Sequence, residues 1–211
     1  MCIRPAVMGA LCALGAVVGS AEAAITTYQF ACVTNTTAAN ALAGSAQLWV
    51  DVEDAPNPQQ VSFTFHNAGP QPCSITDIYF DDGTLLGIAS IVNSAGVDIA
   101  QGASPPDLPG GNNLSPAFQT TAGFSADSNP PAQPNGVNPG EWVKITFNLI
   151  NGQTYANTIS ALNTPGDHLR IGIHVQGFAN GGSESFVNNV PGPGVLALVG
   201  SVPVVVRRRR G

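Results

Sequence analysis

Charge is what this sequence has least of. Charged residues make up 9% of the 211 positions, with seven Lys and Arg together and three His. An ordinary globular domain carries about a quarter. Basic residues are scarcest where a binding protein for anions would need them. Arg4 stands near the start and Arg207, Arg208, Arg209 and Arg210 at the end, so only Lys144 and Arg170 lie between. Against them stand twelve acidic residues from Asp51 to Glu184, giving the middle of the chain a net charge of −10. Such a body repels nucleic acid and anionic membrane surfaces, which excludes a nucleic-acid partner.

Catalytic spacings are missing as well. The sequence contains no His-Glu-x-x-His, no Gly-x-Ser-x-Gly, no phosphate-cradling glycine loop and no Cys-x-x-Cys. "GGSES" around Ser183 lacks the closing glycine of a nucleophile elbow and reads as a turn. The histidines His66, His168 and His174 are too few and too spread for a zinc site. His168 and His174, six residues apart on one strand, would stand about 20 Å from each other. They read as surface side chains, and no metal site is assigned. Calcium is left open as a cofactor. "DIYFDDG" gathers Asp77, Asp81 and Asp82 without the spacing of a calcium loop, and Asp107 and Asp127 lie in other acidic stretches.

What is present is organised at the two ends first. Arg4, the apolar run "AVMGALCALGAVVG" and the small-x-small "AEA" form a secretory signal over residues 1–23. Ala21 and Ala23 flank the cleavage position and Ala24 opens the mature chain. Cys12 follows Leu11 rather than a small residue, which argues against a lipoprotein. Cys2 and Cys12 leave with the signal. The remaining pair, Cys32 and Cys73, is expected to form one disulfide in an oxidising compartment, stabilising the fold by about 3–4 kcal/mol on a chain-entropy model. Two separate buried thiols are the alternative.

At the other end, "VPGPGVLALVGSVPVVVRRRRG" sets a Pro/Gly break before an uncharged stretch and four arginines. Val195 to Val206 is too short for a permanent span, which needs about 20 residues. The arginines would hold it to the cytoplasmic side. A single "VPGPG" is no elastin-like repeat. This tail resembles the PEP-CTERM sorting signal of Gram-negative bacteria. The match rests on Val190, Pro191 and Pro193, then Val195 to Val206, then Arg207 to Arg210. It departs from the family at Gly192, where a glutamate is usual, and at Pro203 inside the apolar segment. The resemblance covers only residues 190–211. It implies transient tethering to the inner membrane, handling by an exosortase after the export machinery, and delivery to the cell surface or extracellular matrix.

Residues 24–189 form the body, and they alternate with period two. "LWVDV", "VSFTFH", "EWVKITFNL" and "HLRIGIHVQ" each place apolar residues on one face and polar residues on the other. The first of these strands is read back to Ser45, with Ala46 on its apolar face. Further strands are expected in "ITTYQFACV", "SITDIYF" and "TLLGIASI", the last two joined as a hairpin through Asp81-Asp82-Gly83. Tyr155, Ile159 and Leu162 recur at helical spacing and predict one short helix. The Pro/Gly/Asn stretches "QGASPPDLPGGNNLSP" and "DSNPPAQPNGVNPG" are long loops that are not expected in the core. The expected fold is all-β, a single antiparallel β-sandwich, jelly-roll-like, with one short helix besides the signal helix and the C-terminal apolar helix.

One feature of the body points to a ligand. Trp49 and Trp142 both fall on the polar face of their strands, where a bulky ring needs a cover or a ligand. Aromatic rings on an open sheet can hold the C–H face of a sugar. Arg170 and Gln176 share that parity and are the expected polar partners, while Gly172 could leave room for a ring. A covering helix or loop is the first reading of these rings, and the ligand platform is the alternative. The sequence thus supports a non-catalytic, exported surface or matrix protein of structural or adhesive role, with biofilm polymer as the setting the resemblance implies. A carbohydrate-binding module, with extracellular polysaccharide as partner, is the alternative. An exported hydrolase is less well supported, because no acid/base pair stands out.

Overall fold

A computed structural model describes residues 23–81, 86–121, 124–166 and 168–189. The expected sorting tail (Val190 to Gly211) and Ala21 lie outside these residues. Ala23 and Ala24 precede the first strand, and the carbonyl of Ala24 accepts from the Asp54 amide at 3.0 Å.

The described chain is an all-β sandwich. Its strands are β1 (Ile25–Cys32), β2 (Leu48–Asp54), β3 (Gln60–Asn67), β4 (Ser74–Asp81), β5 (Leu86–Asn93), β6 (Ile99–Gln101), β7 (Ser125–Ser128), β8 (Trp142–Leu149), β9 (Arg170–Gln176) and β10 (Ser183–Asn188). They form one continuous antiparallel sheet in the order β5-β8-β3-β2-β1-β10-β9-β4-β7-β6. The sheet curls on itself at β1. Its first half, Ile25 to Gln29, pairs with β2, while Phe30 to Cys32 pair with β10. The result is two faces packed on each other, β5-β8-β3-β2 with the start of β1 opposing β10-β9-β4-β7-β6 with its end. The chain changes side between β3 and β4, between β4 and β5, between β5 and β6, between β7 and β8, and between β8 and β9. Such crossings suit the expected jelly-roll-like winding.

The core is the inward set of the alternation. Val50, Val52, Phe63, Phe65, Ile145 and Phe147 come from one side and Ile75, Ile78, Phe80, Ile171, Ile173 and Phe186 from the other, all essentially inaccessible. Phenylalanines join the layers edge to face. Phe80 lies 5.2 Å from Phe63 and 4.7 Å from Phe147 between ring centroids. Such pairs contribute about 0.5–1.5 kcal/mol each beyond their buried area.

The helix predicted from Tyr155, Ile159 and Leu162 forms as α3 (Tyr155–Leu162), counted after two others in the chain. Thr154 and Asn157 close a reciprocal capping box at its start. Two further helices correct the expectation of one. The earlier is α1 (Ala38–Gln47), which takes Ser45 to Gln47 away from the strand read there, so β2 starts at Leu48 rather than Ser45. Alanine is the best helix former, and Gly44 lets α1 sit on the core. A Cβ at that position would stand 2.2 Å from Phe186 Cζ. The other is the single turn α2 (Ala132–Asn135). The Asp81-Asp82-Gly83 hairpin is also corrected. β4 lies between β9 and β7 and β5 pairs with β8, so the two consecutive strands belong to opposite layers.

The expected disulfide is not formed, and Cys32 and Cys73 are free thiols. Topology separates them. Cys32 pairs with Phe186 on β10, and β9 intervenes before the β4 layer that Cys73 precedes. Three strand spacings amount to about 14 Å, against a limit near 7 Å between bridged Cα atoms. Cys73 Sγ instead accepts from Gln47 Nε2 at 3.0 Å, and burial pushes its thiol up to about 11.

Candidate functional site

The outward face of β2, β3 and β8 carries the strongest cluster of ligand-binding chemistry. Antiparallel register sets the side chains in rungs. Trp49 pairs with His66 and His66 with Trp142, so one rung reads Trp-His-Trp across three strands. The next rung is Asp51, Thr64 and Lys144, with Thr27 of β1 beyond Asp51. The third is Glu53, Ser62 and Thr146. Rungs on one face lie about 7 Å apart along the strands and neighbours within a rung about 4.8 Å apart.

The two tryptophans play different parts. Trp49 stacks on His66, with ring centroids 4.9 Å apart and planes 14° from parallel. Its indole N–H donates to Asp51 Oδ2 at 3.3 Å, and the same oxygen lies 3.1 Å from His66 Nε2. Asp51 is held in turn by the Thr27 hydroxyl at 2.5 Å. Trp49 is therefore a prop. It and Asp51 fix the plane and tautomer of His66, whose Nε2 carries the proton given to the carboxylate. Burial holds the His66 pKa below the usual histidine value, against the opposing pull of Asp51. Trp142 is the exposed ring, at 36% accessibility.

Between His66 and Trp142 opens a slot of about 200 Å³, lined also by Asp51, Glu53, Thr64 and Lys144. Lys144 Nζ is tied to Glu53 Oε2 at 2.8 Å. Thr64 forms the floor. It is only 6% accessible, and its hydroxyl has no hydrogen-bond partner among the described residues. An unmade hydrogen bond at a buried hydroxyl costs about 1–3 kcal/mol.

Arg170 and Gln176 are not partners of the tryptophans. Both lie on β9, in the opposite layer. Arg170 pairs with Asp81, donates to the carbonyls of Pro116 at 2.7 Å and Ala117 at 2.8 Å, and lies 5.3 Å over the Phe118 ring. It clamps the 102–121 loop onto the sheet. Gly172 does leave room for a ring, but for Phe118 and Leu108 of that loop, which a Cβ would meet at 3.1 and 2.8 Å. Gln176 pairs with Ser74 and Ser183 at the end of β9, and Ser183 opens β10 rather than a turn. His174 lies 3.1 Å from the Ser185 hydroxyl, and His168 is exposed. Asp77 faces Asp127 across β4 and β7, and Asp107 is an exposed loop residue. No group of three His, Cys, Asp or Glu able to hold a metal occurs among the described residues.

His66, Asp51, Thr64 and Lys144 were not singled out as ligand-facing from the sequence. Parity placed all of them outward beside Trp49 and Trp142. The missing information was strand order, because only with β3 between β2 and β8 does His66 stand between the two tryptophans. The chain matches no protein-family model, no curated protein and no solved structure.

Proposed function

We propose that this is an exported, non-catalytic surface or matrix protein whose sandwich binds extracellular polysaccharide through the slot between His66 and Trp142. The observation that carries the binding reading is the Trp-His-Trp rung with an exposed indole above a floor hydroxyl that lacks a partner. An aromatic wall supports the apolar face of a sugar ring, and the polar groups around it suit ring hydroxyls. A slot of about 200 Å³ on an open sheet accommodates one unit of a chain whose neighbours run on over the face. Delivery to the outside is supported by the signal at residues 1–23 and the tail from Val190 to Arg210.

Binding is tested by affinity electrophoresis of the 24–189 body through gels containing soluble polysaccharides. At least one polymer should retard the protein. Trp142→Ala should abolish the retardation, and Trp49→Ala should weaken it through His66. Mobility unaffected by every polymer would refute the binding reading. Delivery is tested by intact mass of the protein recovered from its host. Residues 1–23 and the chain beyond about Pro193 should be missing. A mature species that retains Arg207 to Arg210 would contradict the sorting reading.

A further inference from the structure

We infer that the slot selects a neutral pyranose unit and turns away uronate-bearing chains. The inference rests on the binding reading above and narrows it to one ligand class. It follows from which groups remain uncommitted. Asp51 already accepts from Thr27, Trp49 and His66. The Lys144 ammonium, the one cation among the described residues lining the slot, is held by Glu53. A ligand carboxylate would have to share that ammonium with Glu53, whose charge already offsets it. It would also lie beside two carboxylates against one ammonium, a local charge of one negative unit.

The uncommitted groups are of mixed character. With the imidazole proton on Nε2, His66 Nδ1 is an acceptor. The Thr64 hydroxyl can donate and accept. The Trp142 indole N–H is a donor on the exposed ring. A sugar hydroxyl is both donor and acceptor and can serve each of these. A carboxylate only accepts, so it cannot satisfy His66 Nδ1 and would face like charge besides. The −10 charge of the surrounding chain acts in the same direction at longer range.

The test is calorimetric titration of the 24–189 body at about 0.15 M salt, where screening falls to about 8 Å. The probes are neutral gluco-, manno- and galacto-oligosaccharides, together with oligogalacturonate and its methyl ester, which removes the charge and adds one methyl group per unit. A neutral probe should bind, and the free acid should bind at least tenfold more weakly than its ester. Thr64→Val, which keeps shape and removes the hydroxyl, should weaken the neutral probe about tenfold without lowering the unfolding midpoint. If the free acid binds as tightly as the ester or more so, and Trp142→Ala still abolishes it, the selectivity is overturned while glycan binding stands. An unchanged affinity in Thr64→Val also overturns the slot chemistry. If no probe and no gel polymer binds, the selectivity falls together with the binding reading.

Discussion

The two outer faces of this sandwich start from the same pattern and end differently. Both are built from the outward residues of alternating strands, and both carry aromatic and charged side chains. Over β4, β9 and β10 the 102–121 loop lies down on the sheet. Leu108 and Phe118 fill the space left by Gly172 and join Tyr79 and Val187 in a second apolar cluster. β4 is buried along its entire length as a result. Over β2, β3 and β8 no such cover lies among the described residues, and Trp142, Lys144 and His66 keep access to solvent. An outward aromatic or arginine thus means different things on the two faces. Phe118 and Arg170 hold structure together, whereas Trp142 stands open to solvent at 36% accessibility.

Paired truncations put that difference to the sharpest test. Phe118→Ala removes a nearly buried ring that packs on Leu108 and Gly172 and lies under the Arg170 guanidinium. It should lower stability by about 3–4 kcal/mol. Trp142→Ala removes a larger ring from the open face and should cost less than about 1 kcal/mol. Urea unfolding of the two variants beside the parent checks both, with unchanged m-values as the condition for reading the midpoints. Equal losses would mean that the open face is in fact a packed one.

How far the sequence disclosed this contrast depends on which physical signal was local. Period-two alternation is a local property, and it placed Phe63, Phe65, Ile145, Phe147, Ile171 and Ile173 inward and Trp49, Trp142 and Arg170 outward, as the structure has them. The capped helix at Tyr155 was local too. Pairing partners are not. The free thiols, the separation of β4 from β5 and the position of His66 between two tryptophans follow from strand order, which no stretch of the sequence encodes by itself. The 102–121 loop misled for a related reason. Its Pro, Gly and Asn content signals irregular backbone, yet Leu108 and Phe118 are buried residues that only a facing Gly172 makes room for. The helix α1 was hidden because its apolar residues are mostly alanines, whose periodicity is weak.

A pH experiment reads the covered face through Asp77. This carboxyl is 3% accessible and faces Asp127 across the strands, with Tyr79 and His174 on the same face and Asp107 in the loop. Burial, and then the charge of Asp127, raise its pKa to about 7, although the Thr76 hydroxyl at 2.8 Å works the other way. An unfolded aspartate titrates near 3.9. Between these values the folded chain holds more protons than the unfolded one, so this group's contribution to stability is complete below about pH 4 and is lost as pH rises through about 7. The change between pH 5 and pH 7 is about 2 kcal/mol. His66 and His174 act with the opposite sign in the same range, because burial lowers both and the unfolded chain then holds the extra proton. The parent's own profile is therefore a sum of opposing slopes. Asp77→Asn separates them, since the amide keeps the shape and cannot ionise. Measured by urea midpoint at each pH, the parent should lose ground to Asp77→Asn by about 2 kcal/mol from pH 5 to pH 7 and run parallel to it above pH 8. A difference that stays constant from pH 5 to pH 8 would show that water reaches Asp77, and that the loop covers this face less completely than Leu108 and Phe118 imply.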